Sequence, residues 1–106
     1  MSKQKRQFFR IEYPVEERPW LLLGNDKFEV LDASERGLRI VPLKGQPLPT
    51  MVKGTLQFRD GSECQVAGNV SRQTEEGHLV VQLTLGISLT LIMKEQRRLI
   101  QKYRAS

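Results

Sequence analysis

The sequence predicts an all-β fold: an antiparallel barrel or sandwich of about six short strands, followed by one C-terminal helix. Three observations predict it. Short runs alternate apolar with polar residues, as half-buried strands do, and Gly, Pro, Asn and Asp separate these runs at regular intervals. The last segment changes to the helical period. A chain of 106 residues forms one domain with a core of its own.

The strands follow from the alternation of residue types. In chain order, the predicted strands cover residues 20–23, 27–31, 37–41, 51–58, 64–70 and 79–83. Phe28 and Phe58 lie on the apolar side of this alternation, so we expect both rings in the core. Asp60-Gly61 is a strong hairpin signal because Asp-Gly favours the turn types that match strand twist. Such regularly spaced short strands indicate an antiparallel architecture.

The helix is predicted from a stripe of residues at helical spacing near the C-terminus, most of them apolar. The stripe consists of Ile92, Gln96, Leu99, Ile100 and Tyr103. These positions recur every three or four residues, which places them on one helical face, with charged residues covering the rest of the surface.

The first dozen residues have no sustained apolar period. We therefore predict a flexible arm over residues 1–12 and a folded domain over residues 13–106. No apolar run is long enough to span a bilayer, and the N-terminus lacks the apolar core of a secretory signal. We expect a cytoplasmic protein that does not insert into a membrane.

Few residues offer enzymatic or metal chemistry. Cys64 is the single cysteine and His78 the single histidine, so the sequence contains no spaced Cys/His set for zinc and no internal disulfide. Neither residue lies in a recognisable nucleophile motif, and no paired carboxylates stand out. We expect no metal, no cofactor and no catalytic residue.

The net charge of +5 is concentrated at the two ends of the chain. Residues 1–10 carry four basic and no acidic side chains, and residues 94–106 carry five basic and one acidic. The middle of the chain is therefore acidic overall. A protein that binds nucleic acid through its body is usually basic along a whole face, so we expect a small anionic ligand instead.

Two short polar motifs stand out from the strand pattern. One is Arg-x-x-x-Arg, with Arg6 and Arg10 on the predicted arm, and the other is Asp-x-Ser-x-x-Gly, with Asp32, Ser34 and Gly37. Arginine presents a planar fork of donors that grips phosphate or guanine through paired hydrogen bonds. We interpret the second motif as a turn, in which Asp and Ser hold backbone amides and Gly37 can take a positive φ.

In this combination the two motifs closely resemble those of the PilZ domain family, small β-barrels that bind the bacterial second messenger cyclic di-GMP. Residues 68–72 look like the family's Gly-x-Val-x-Arg strand, and residues 97–103 look like its closing helix. The resemblance extends over residues 5–103. It implies a six-stranded antiparallel β-barrel with an N-terminal arm and a C-terminal α-helix.

The resemblance also implies roles for the motif residues. Arg6 and Arg10 would grip the guanines and phosphates, and Asp32 and Ser34 would hydrogen-bond a guanine and the adjacent phosphate. Gly37 would shape the turn. Further candidate contacts to the ligand are Lys5, Arg36 and Arg72. Lys5 stands where many family members have an arginine, which leaves the number of bound ligand molecules open.

The function implied is that of a bacterial receptor for cyclic di-GMP. On binding, the arm would change conformation and signal to an unidentified effector protein, in motility or biofilm regulation. A homodimer is left open. One alternative is a degenerate PilZ-like adaptor that docks proteins without the nucleotide. Another is a small RNA- or DNA-binding barrel, but the strands show no cluster of exposed aromatic residues on which bases would stack.

Overall fold

The computed structural model describes residues 9–104. Its elements are β1 (Ile11–Glu12), a 3₁₀ helix (Val15–Glu17), β2 (Trp20–Leu23), β3 (Asp26–Ser34), β4 (Gly37–Ile40), β5 (Met51–Gln57), β6 (Glu63–Gln73), β7 (Leu79–Leu85) and α1 (Leu89–Arg104). Every strand pairing is antiparallel. Within the described residues, no helix is long and apolar enough to cross a membrane.

Six strands close into a barrel in the order β3, β2, β5, β6, β7, β4 and back to β3. The first half of β3 pairs with β2. Its second half extends beyond β2, and β1 pairs there instead, with Ile11 opposite Ala33. The predicted six-stranded barrel with a C-terminal helix is therefore confirmed, with β1 as one additional strand at the end of the predicted arm.

The inward positions of the strands form the core. Its fully buried members include Leu21, Val30, Ile40, Leu56, Val66, Leu79 and Val81. Phe28 and Phe58 are also buried, as their place in the alternation predicted. Ile92 and Leu99 of α1 belong to the same core, so the helix is packed onto the barrel by its apolar side chains.

The buried face of α1 differs from the predicted stripe. Glu95, rather than Gln96, lies at its centre, while Ile100 and Tyr103 are about half exposed. The helix begins one residue after Ser88, whose Oγ accepts a hydrogen bond from the Leu91 amide at 3.2 Å.

Two buried carboxylates fix α1 against the segment that follows β1. Glu95 accepts hydrogen bonds from the Tyr13 hydroxyl at 3.0 Å and from Arg98 Nε at 2.9 Å. Glu17 accepts from Arg98 Nη1 at 2.9 Å and from Lys102 Nζ at 2.5 Å. Burial, together with the Glu95 carboxylate, raises the pKa of Tyr13, so its phenol keeps the proton that it donates. Arg98 thus bridges the two carboxylates.

Acid should weaken the fold through Glu17. Hydrogen bonds from Lys102 and Arg98 lower its pKa from the ordinary 4.5 to about 2. Because the folded state depresses this pKa, the stabilisation is complete above pH 4.5 and is lost as the pH falls towards 2. We expect it to amount to at most about 1 kcal/mol, because solvent screens the attraction between Glu17 and the exposed Lys102.

Urea unfolding at pH 7, 4 and 2.5 measures this contribution. Glu17→Gln should lose less unfolding free energy than the wild type between pH 7 and pH 2.5, because the titrating group is gone. Glu16→Gln, which changes the exposed neighbouring residue, is the matched control and should follow the wild type. An equal loss in all three proteins would contradict the assignment.

Candidate functional site

The β3–β4 hairpin carries the Asp-x-Ser-x-x-Gly motif, and most of the motif lies in strands. Asp32 and Ser34 belong to β3, and Gly37 begins β4, so the predicted turn over all six residues was wrong. The turn consists only of Glu35 and Arg36. Pairing with β1 on one edge and β4 on the other supplies backbone partners that override the local turn preference of Asp and Ser.

Backbone hydrogen bonds to the neighbouring strand β7 and to the loop that follows it hold this turn in place. The Leu83 amide donates to the Arg36 carbonyl at 2.8 Å, and the Ile87 amide donates to the Glu35 carbonyl at 2.9 Å. Gly86 permits the approach, because a Cβ atom there would overlap the Glu35 carbonyl oxygen. The motif is therefore positioned by long-range contacts.

The backbone of Gly37 does not have the positive φ that was predicted for a turn glycine. A Cβ atom at this position would lie at ordinary contact distances, 3.4 Å from the Val81 carbonyl oxygen and 3.7 Å from Ser34 Oγ. Gly37 and Ser34 line the same cleft.

Asp32 is the central charged group of the site. Its carboxylate is only 2% exposed and accepts hydrogen bonds from two arginines. Arg10 Nη1 donates to Oδ1 at 2.9 Å, and Arg39 Nε donates to Oδ2 at 2.9 Å. A buried carboxylate is stable only when its charge is compensated in this way.

Two adjoining clefts meet at Arg10 and Val80. One, of about 460 Å³, is lined by Arg10, Ser34, Arg36, Gly37, Ser71, Val80, Val81 and Gln82. The other, of about 340 Å³, is lined by Arg10, Glu12, Asp32, Arg39, Arg72, Thr74 and Val80. Every sequence-predicted site residue that the structure describes lies in this region. Lys5 and Arg6 lie outside the described residues.

The clefts carry an excess of positive charge. Among residues 9–104, four arginines line them: Arg10, Arg36, Arg39 and Arg72. The acidic residues among the lining are Glu12, which is exposed, and Asp32, whose charge is already paired. Hydroxyl and amide groups of Ser34, Ser71 and Gln82 add neutral hydrogen-bonding capacity. This lining suits an anion that also carries neutral hydrogen-bonding groups.

Arg39 is not among the ligand contacts that the sequence motifs predict. Arg39 lies directly opposite Asp32 in the β3–β4 register. Reading residues 35 and 36 as a two-residue hairpin turn would have predicted the pair, since such a turn places residues 32 and 39 on facing strands. The predicted turn over residues 32–37 did not indicate this register, because it ended the first strand before Asp32.

Fold and clefts together define a small β-barrel with arginine-rich surface clefts. The family model of the PilZ domain matches residues 4–106, so the chain belongs to the PilZ domain family. PilZ domains are binding domains for cyclic di-GMP rather than enzymes.

A solved structure agrees with the fold. A crystal structure of an uncharacterized Legionella protein covers 88% of this chain and 98% of its own, with 21% identity and a TM-score of 0.64. At that identity the likeness supports the fold alone. No curated protein sequence matches the chain significantly.

Gly86→Ala should displace the turn that carries the motif. Overpacking of this kind costs about 1–3 kcal/mol, because the added methyl group meets a backbone carbonyl that cannot rotate away. Urea unfolding measures the loss. Leu85→Ala, at the half-exposed neighbouring residue, is the control and should lose about 1 kcal/mol or less, because only part of its apolar surface is buried. Equal stability of Gly86→Ala and wild type would contradict the tight approach.

Proposed function

We propose that this protein is a receptor for cyclic di-GMP, which binds in the clefts around Arg10. The main support is that Asp32, Ser34 and Gly37 line the same clefts as Arg10. The chain also belongs to the PilZ domain family. The two motifs are 22 residues apart in sequence, and the Arg10–Asp32 ion pair joins them in space.

The chemistry of the ligand matches the lining of the clefts. Cyclic di-GMP carries two phosphate charges and two guanine rings, and arginine recognises both parts through bidentate hydrogen bonds and stacking. In the proposed complex, Arg6 and Arg10 hold guanine and phosphate groups, and Ser34 donates to a phosphate oxygen. Asp32 accepts from the N–H donors on the Watson-Crick edge of guanine.

Further cations adjoin these groups. Arg36 and Arg72 line the clefts on either side of Arg10, and Lys5 precedes Arg6 in the sequence. We propose these three residues as additional ligand contacts, each of which adds attraction for the phosphates.

Binding would be passed on through the N-terminal arm. Arg6 and Arg10 lie on this segment, so a ligand that engages both also orders the chain between them. We propose that this change alters the surface offered to an effector protein. The apolar groove between β1 and α1, of about 350 Å³, starts at Arg10 and is lined by Ile11, Leu99 and Ile100.

The same groove supports the second candidate, a PilZ adaptor that docks a protein without nucleotide. Ile100 and Tyr103 leave about half of their apolar surface exposed at its edge. The two candidates differ in one measurable property, which is whether the wild-type protein binds cyclic di-GMP at all.

Calorimetric titration with cyclic di-GMP tests the receptor proposal. Wild type should bind, and Arg6→Ala, Arg10→Ala and Asp32→Ala should each lose at least about tenfold in affinity, because each removes a charge-assisted hydrogen bond. GTP and linear pGpG serve as ligand controls, and Lys53→Ala, on β5 outside the clefts, is the matched variant. Absence of wild-type binding would favour the adaptor, and unchanged affinity of the arginine variants would exclude the assigned site.

Hydrogen exchange tests the change in the arm. Amides of residues 3–12 should exchange more slowly when cyclic di-GMP is bound, while those of the β5–β6 pair should be unaffected and serve as the internal reference. Identical exchange of residues 3–12 with and without ligand would contradict signalling through the arm. It would leave binding, measured separately, in place.

A further inference from the structure

Asp32 is paired with two arginines, and the proposed ligand requires one of them. Arg10 occupies Oδ1 and Arg39 occupies Oδ2. If cyclic di-GMP engages Arg10, then Oδ1 exchanges a cation for a neutral N–H donor of guanine. The carboxylate keeps its full negative charge after this exchange, in a position that is 2% exposed.

The two arginine side chains differ in how freely each can move away from Asp32. Arg10 precedes β1, its side chain is 57% exposed, and it lines both clefts and the apolar groove. Arg39 is 35% exposed and lies in β4, which is paired with β3 on one side and with β7 on the other. The backbone of Arg39 is therefore fixed opposite Asp32, while Arg10 can turn towards a ligand.

We propose that Arg39 is a positioning residue of the nucleotide site, which holds the charge of Asp32 in balance while Arg10 transfers to the ligand. This inference rests on the proposed function. Without Arg39, the transfer would take away both arginines that donate to Asp32 among the described residues, and leaving a buried charge without its partner is strongly unfavourable. Arg72 lines the same cleft, but among the described residues its side chain makes no hydrogen bond to Asp32.

In the unliganded protein Arg39 is less critical, since Arg10 also compensates Asp32. Arg39→Gln should therefore fold, with affinity for cyclic di-GMP reduced about 10- to 100-fold. Arg39→Lys retains the charge without the planar fork, and it should lose less affinity than Arg39→Gln. Lys53→Gln removes one positive charge from β5 and should bind as the wild type does, which controls for net charge.

A double-mutant cycle with Asp32→Asn separates positioning from direct contact. Asparagine keeps an acceptor oxygen but has no charge to compensate, so Arg39 should lose its importance in that background. Titration with cyclic di-GMP should then find Arg39→Gln/Asp32→Asn no weaker than the weaker single variant. Thermal unfolding of each variant establishes that it is folded.

The outcomes are distinct. Additive losses in the double variant would mean that Arg39 acts on the ligand independently of Asp32 and would overturn the inference. Full affinity of Arg39→Gln would overturn it as well, while leaving the receptor proposal intact. If Arg39→Gln does not fold, an equal affinity of Arg39→Lys and wild type supports the charge role, and a loss as large as that of Arg10→Ala overturns it. No binding by wild type would remove the receptor proposal itself.

Discussion

A buried carboxylate determines how the binding region of this protein is built. Asp32 lies at 2% exposure on β3, where its charge requires cations from outside the core. Those cations come from the two strands that flank this part of β3, with Arg10 beside β1 and Arg39 on β4. The ion pairs thus join three chain segments at the edge of two clefts. The two arginines that pair with Asp32 also line these clefts, where Arg36 and Arg72 add further positive charge.

Two further buried carboxylates connect α1 to the segment that follows β1. Glu17 and Glu95 share Arg98, and Glu95 also accepts from Tyr13. Buried ion pairs contribute little net stability because desolvation offsets most of their attraction. Full burial of a side chain such as Ile92 contributes about 1.5–3 kcal/mol. The apolar contacts therefore hold α1 on the barrel, and the charged network determines its orientation there.

The fold was predictable because its signals are local. Alternation gave the barrel strands, and helical periodicity gave α1. The place of Asp32 and Ser34 within β3 was not predictable in this way, since it depends on β1 pairing across about twenty residues, with Ile11 opposite Ala33. The burial of Glu95 depends likewise on Tyr13, which is 82 residues away. Polar residues that are buried through distant partners look like surface residues in the sequence.

The ion pairs of Asp32 and the network around Glu17 and Glu95 limit which part of the chain a ligand could displace. Tyr13 is anchored by two hydrogen bonds: its hydroxyl donates to Glu95, and its backbone amide donates to the Leu31 carbonyl at 3.0 Å. Ile11 is buried in the core. Arg10 is the first residue before this anchored stretch, and its contact to Asp32 is largely exposed on the arginine side. In the proposed complex, a ligand that competes for Arg10 would act at the N-terminal end of this anchored stretch. Because Arg10 also lines the apolar groove, the proposed exchange would change part of the lining of that groove.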